Sequence, residues 1–174
     1  MRVTKLVGVS VVSAVLVLAT TLMAGVSHAQ MSADQARTLI ATGDQLETIP
    51  MATWRKLLTP AQYDVLWEAG TERPFSGDLL KEKRDGVFVT SGCEIPVFSS
   101  KHKFKSGTGW PSFWDVIGEG NIILEEDYSW YGVKRIEVKS KCGEHLGHVF
   151  EDGPKPTGLR YCINSAALKF VPTP

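Results

Sequence analysis

Cysteine is scarce in this chain, three residues in 174, and one of them stands in a chemically loaded setting. Cys162 lies in "LRYCINSAAL", from Leu159 to Leu168, an otherwise apolar, strand-like run. On a strand, residues 160, 162 and 164 share one face. Arg160, Cys162 and Asn164 then point the same way: a cation, a thiol and an amide. A thiol reacts as its thiolate, and its pKa falls beside cations. Arg160 can lower the Cys162 pKa or bind a carboxylate, and Asn164 can donate to an oxyanion or hold a water. Burial as a small hydrophobe, a disulfide and metal ligation are the other fates open to such a cysteine. The arginine and asparagine on its face argue against an inert core position.

A second cluster is "CGEHLGHVFEDGP", Cys142 to Pro154. Cys142, His145 and His148 have the spacing C-x-x-H-x-x-H. That spacing suits zinc, but no firm fourth ligand accompanies it. Histidines hydrogen-bonded to carboxylates or backbone, or histidines serving as acid–base groups, fit equally. Only three histidines lie beyond residue 29, and two are in this motif. Asp152, four residues after His148, is expected to orient an imidazole. A third stretch, "GTGWPSFW", gathers Trp110, Phe113 and Trp114 around Pro111. Such a group is either core or a rigid apolar pocket, and aromatic surfaces suit a thioether or S-methyl group.

These residues need a scaffold. The chain is 43% apolar and 22% charged, enough for one globular domain with a core. Lysine plus arginine equals aspartate plus glutamate at 19 each, so nothing points to a nucleic-acid partner. "MRVTKLVGVSVVSAVLVLATTLMAGVSHAQ" has a basic start, a long apolar run and small residues at Ser27 and Ala29. This pattern is that of a signal peptide over 1–29, cleaved after Ala29, giving a secreted or periplasmic protein. The alternative is an uncleaved N-terminal membrane anchor. Removing 1–29 leaves 17 basic against 19 acidic residues. Residues 30–48 form a polar lead-in with a short helix, where Ser32 and Gln35 have capping-box spacing. In "LLTPAQYDVLWEAG", Thr59 caps, Pro60 starts and Gly70 ends a second helix, with Val65 and Leu66 facing the core. From Gly77 onward short β-rich runs alternate with glycine and proline: "GVFVT", "IPVF", "NIILEE", "WYGVKRIEVKS", "LGHVF" and "LRYCINSAALKF". This spacing predicts an antiparallel β domain with long loops.

The ordered stretches "LTPAQYDVLWEAGTERPFSG", "GTGWPSFWD", "HLGHVFEDGP" and "RYCINSAALKF" resemble those of the B-type methionine-R-sulfoxide reductases, across about residues 51–171. The resemblance implies a mainly β fold over 49–174, antiparallel sheets of the β-tent, Mss4-like kind with short N-terminal helices. It implies reduction of methionine-R-sulfoxide, mainly within proteins, with Cys162 as nucleophile and a cysteine sulfenic acid as intermediate. His145 and His148, supported by Asp152, would supply or relay the proton. Trp110, with Phe113, would bind the sulfoxide methyl. Asn164 and Arg160 would position the thiolate and a nearby water.

Two departures from the family pattern matter. Many members carry a recycling cysteine where this chain has Thr108. Many also bind a structural zinc through two C-x-x-C pairs, but here Thr90 and Lys139 occupy the first positions and only Cys93 and Cys142 remain. No bound metal is therefore expected. If the loops keep the family arrangement, Cys93 and Cys142 lie close enough for a disulfide staple; alternatively one of them, Cys142 first, resolves Cys162. A thioredoxin-like protein or another external thiol is the expected reductant, oxidised proteins the expected substrates, and a monomer the expected state. A binding module without turnover and a thiol peroxidase are the competing classes.

Overall fold

The structure is a computed structural model that describes residues 31–118 and 120–174. The proposed signal peptide lies outside the described residues. Three short helices open the described chain: α1 (Ala33–Thr42), α2 (Met51–Leu57) and α3 (Pro60–Glu68). The capping boxes read from sequence form at both expected places. Ser32 and Gln35 close α1, and Thr59 and Gln62 close α3, each satisfying otherwise orphaned backbone donors. The end of α3 differs by one residue from expectation. Ala69 takes the left-handed conformation, while Gly70 follows because a Cβ there would lie 2.1 Å from an Asp64 carboxylate oxygen. Helix α2 is the element the sequence left unassigned; it buries Trp54 against the core.

Nine strands follow among the described residues: β1 (Gly86–Thr90), β2 (Pro96–Ser99), β3 (Lys103–Phe104), β4 (Ser112–Phe113), β5 (Ile122–Asp127), β6 (Arg135–Ser140), β7 (His145–Phe150), β8 (Arg160–Ile163) and β9 (Leu168–Pro172). They build two antiparallel sheets, a three-stranded one in the order β2-β1-β9 and a six-stranded one in the order β3-β4-β8-β7-β6-β5. The mainly β, antiparallel expectation therefore holds. Two runs subdivide. "LRYCINSAALKF" is broken by a 3-10 turn at Ser165–Ala167, which sends β8 and β9 to different sheets. "WYGVKRIEVKS" becomes a strand only from Arg135, because Trp130–Gly132 make the β5–β6 turn.

The core lies between the sheets and under the helices. Phe88, Phe98 and Phe113 are fully buried there, with Phe98 stacked on Phe113 at 4.4 Å between centroids. Phe113 was expected in a substrate pocket and is instead core. In β4, Ser112 pairs with Cys162 and Phe113 with Tyr161, and side chains alternate along a strand, so the two point to opposite faces. No helix among the described residues is long and apolar enough to cross a membrane.

Candidate active site

Strands β7 and β8 place the chemistry. His148 and Cys162 are opposite one another in the antiparallel register. Gly147 sits where a Cβ would lie 2.1 Å from the Cys162 carbonyl oxygen, so only glycine lets the two strands close here. A cavity of about 140 Å³ opens between them, lined by Thr71, Trp110, Arg135, Gly147, His148, Phe150, Cys162 and Asn164. Trp110, His148, Cys162 and Asn164 are thus brought together as the sequence suggested. Thr71, Arg135 and Phe150 carried no chemical signature that would have marked them.

Cys162 is the free cysteine of the described chain and is half-buried. Burial pushes its thiol pKa up, while Thr108 and Arg160 pull it down. Of the two roles open to Arg160, lowering the thiol pKa or binding a carboxylate, it takes both: it pairs with Asp152 and pulls the Cys162 pKa down, but loss of solvation is the larger effect. Thr108 Oγ1 lies 3.8 Å from the sulfur and 2.9 Å from Ser106 Oγ, which is in turn 2.7 Å from Ser112 Oγ. A hydroxyl chain thus ends at the thiol.

The carboxylate partners of the histidines differ from expectation. Asp152 does not orient an imidazole. It accepts two hydrogen bonds from Arg160, at 2.8 Å from Nε and 2.9 Å from Nη2, and holds the guanidinium over the Phe150 ring at 4.5 Å. His148 Nε2 instead meets Asp127 at 2.8 Å, and His145 Nδ1 meets Glu137 at 2.6 Å. Glu137 comes from β6, which pairs with β7, and Asp127 from the end of β5, one strand further out. Each carboxylate accepts the N–H of its ring, which leaves the other ring nitrogen for chemistry. His145 Nε2 is buried and has no protein partner among the described residues, and the two rings lie 5.5 Å apart. Desolvation lowers the His148 pKa, and Asp127 opposes this. Ser129, His148 and Arg135 all bind the Asp127 carboxylate and hold its pKa well below the ordinary carboxylate range.

Backbone atoms fix the remaining groups. Asn164 Oδ1 accepts from the Glu72 N–H at 3.1 Å, and its Nδ2 donates to Leu146 O at 3.1 Å. Trp110 Nε1 donates to Glu72 O at 3.1 Å. The Glu72 carboxylate in turn accepts from the Ser165 and Ala166 N–H groups. Glu72, unmarked in the sequence, thereby ties the aromatic wall to the loop after the nucleophile.

Cys93 and Cys142 form a disulfide, 49 residues apart in sequence. Behind it sits Glu144, a fully buried carboxyl that accepts from the N–H groups of Gly92 and Cys93 and from Ser140 Oγ. Burial pushes its pKa up. Its Oε2 is 3.3 Å from Cys142 Sγ. A disulfide sulfur carries no proton, so this contact is not a hydrogen bond donated by Cys142. Cys93, Cys142 and Glu144 offer three donors within 4.8 Å. The two sulfurs are bonded to each other, Lys139 is ion-paired with Glu125 and Glu137, and Thr90 accepts from Ile95 N–H. This set does not fit a closed tetrahedral thiolate zinc site.

Comparison with known proteins places the chain among relatives. A SelR domain model matches residues 58–172. A "Peptide methionine sulfoxide reductase MsrB" of Methanosarcina barkeri is 59% identical over 118 residues, covering 67% of this chain and 82% of that protein. Another, of Alteromonas mediterranea, is 51% identical over 127 residues, 72% of this chain and 89% of its own length. The "Methionine-R-sulfoxide reductase B3, mitochondrial" of Mus musculus is 52% identical over 119 residues, 68% of this chain and 47% of its own length.

Proposed function

The chain belongs to the SelR-domain family of peptide methionine-R-sulfoxide reductases, which makes it an oxidoreductase, and from this premise we propose how its residues perform the reduction. The observation that carries the reading is Cys162 facing His148, Trp110 and Asn164 across one small cavity. The sulfoxide enters with its methyl group against Trp110, an aromatic surface that suits it. The Cys162 sulfur attacks the sulfoxide sulfur as its proton leaves. The sulfoxide oxygen gains a proton; as its S–O bond breaks it bonds to the Cys162 sulfur, and the transient sulfur–sulfur bond breaks with its electron pair on the departing methionine, leaving Cys162 as a sulfenic acid. His148, held by Asp127, delivers the proton to the oxygen, and His145, held by Glu137, stands behind it as relay. Arg160, held by Asp152, and Asn164 position the sulfur and a water.

Sulfenic acid is then reduced by an external thiol. One thiol displaces hydroxide as water and forms a mixed disulfide with Cys162; a second thiol attacks that disulfide and releases free Cys162. A thioredoxin-like protein suits this role, because Thr108 cannot supply a resolving sulfur. Cys93 and Cys142 act as a staple, consistent with their existing bond to each other. The substrates are oxidised exported proteins and the enzyme works as a monomer after loss of residues 1–29. A disulfide fits an oxidising compartment, and N-terminal sequencing of the secreted product is expected to begin at Gln30.

A single turnover without reductant tests the chemistry. It should yield about one methionine per enzyme and a dimedone adduct on Cys162. Methionine formation with no adduct at Cys162 would overturn the sulfenic acid route.

A further inference from the structure

Next to the reactive cavity, sharing Trp110 but not Cys162, lies a second, larger cavity of about 540 Å³. The two cavities adjoin at Trp110. Its rim carries four lysines, Lys81, Lys83, Lys103 and Lys105. None of the four has a carboxylate within ion-pair distance among the described residues, whereas Arg84, Lys134, Arg135, Lys139, Arg160 and Lys169 all do. The lining carboxylate, Glu82, is already taken by Arg84, which donates from Nε at 3.0 Å and from Nη2 at 2.6 Å. Lys103 is half-buried with a backbone carbonyl, Leu80 O at 2.9 Å, as its hydrogen-bond partner. A partly desolvated ammonium without an anion is costly unless something supplies one.

The apolar part of this groove is built, not incidental. Phe75 is 68% exposed and sits in the left-handed region at φ 65°, where a bulky side chain is strained. Its N–H donates to Gly109 O at 2.7 Å, which pins it beside the Trp110 loop. A Cβ on Gly109 would come within 2.9 Å of Phe75 N, so glycine there permits the approach. The strain therefore holds an aromatic ring in solvent next to a basic groove.

We propose that this groove binds the client polypeptide on one side of its oxidised methionine, and that its lysines select clients with aspartate or glutamate in that flank. The inference rests on the reductase reading and names the substrate class for it. An extended segment leaves the sulfoxide cavity over Trp110, lays apolar groups on Phe75, and meets the lysines with its carboxylates.

The test uses the protein with blocked peptides of equal length carrying a central methionine-R-sulfoxide. The flanks are aspartate on the N-terminal side, aspartate on the C-terminal side, serine, or lysine, with dithiothreitol as reductant at low and high salt. One aspartate flank should raise kcat/KM over the serine peptide by about threefold to tenfold, through KM, and salt should erase the gain. The opposite aspartate flank should give none. In a Lys81→Glu/Lys105→Glu variant the ranking should invert in favour of the lysine peptide. Equal kcat/KM for all peptides would overturn the groove proposal while leaving the reductase reading intact. Turnover of none of the peptides would instead sink the reading beneath it.

Discussion

At the scale of single residues, the site is a contest between burial and charge at one sulfur. Burial raises the Cys162 pKa, and Arg160 and Thr108 resist. Removing the cation with Arg160→Gln should raise the thiol pKa further and slow alkylation by iodoacetamide at a fixed neutral pH. An unchanged rate profile would remove Arg160 from the account. The histidine pair makes a second claim. His148 has its pKa below the ordinary 6.5, with desolvation as the main cause and Asp127 opposing it. A protonated imidazole is the donor, so activity should fall as pH rises through that value. Asp127→Asn removes the opposing interaction, so the fall should move to lower pH, with kcat reduced by about tenfold to a hundredfold. A reduced kcat with an unmoved pH profile would make Asp127 a structural residue only. Cys162, Trp110 and the histidines were legible in the sequence because their types announce chemistry. Asp127 and Glu137 were not, because they reach the histidines only once β5, β6 and β7 are assembled in one sheet. Asp152 was misassigned because closeness in sequence stood in for closeness in space.

At the scale of elements, β7 and β8 carry the site and the disulfide ties β7's leading turn to the loop after β1. The cross-link joins residues far apart in sequence, which restricts the unfolded chain. A Cys93→Ser/Cys142→Ser variant should lose about 2–4 kcal/mol in urea unfolding yet keep turnover with an external thiol. Loss of recycling with stability unchanged would make the pair a resolving centre instead. Glu144 adds a pH signature. Its folded pKa is raised above the unfolded value, so the unfolded chain releases the proton first. Stability should therefore fall, relative to Glu144→Gln, as pH climbs above about 4.5 toward the folded pKa. Parallel pH curves for the two proteins would refute this. The short strands were readable from β-rich runs between turn residues. Their division into two sheets was not, since that depends on two 3-10 turns, Ser100–His102 between β2 and β3 and Ser165–Ala167 between β8 and β9. Phe113 shows the same limit: an aromatic residue reads alike for pocket and core until its register against Tyr161 is known.

At the scale of the whole molecule, charge is balanced in total but uneven in place. The groove beside Trp110 carries four lysines with no carboxylate in ion-pair distance among the described residues, whereas the β5 acids Glu125, Glu126 and Asp127, at the far edge of the larger sheet, are each paired with a cation from β6 or the turn before it. Composition alone hides this, because a net charge near zero averages over the surface. The fold presents one reactive sulfur at the seam of two strands and closes the other two into a cross-link, which leaves a single thiol to react. The most direct measurement is stereoselective turnover. Residues 30–174 are given methionine-R-sulfoxide and, separately, the S form, with dithiothreitol, beside a Cys162→Ser variant. Reduction of the R form alone, abolished in the variant, is the expected result. Turnover of the R form that survives in folded Cys162→Ser, or no turnover of either form by folded protein with a free Cys162, would contradict it.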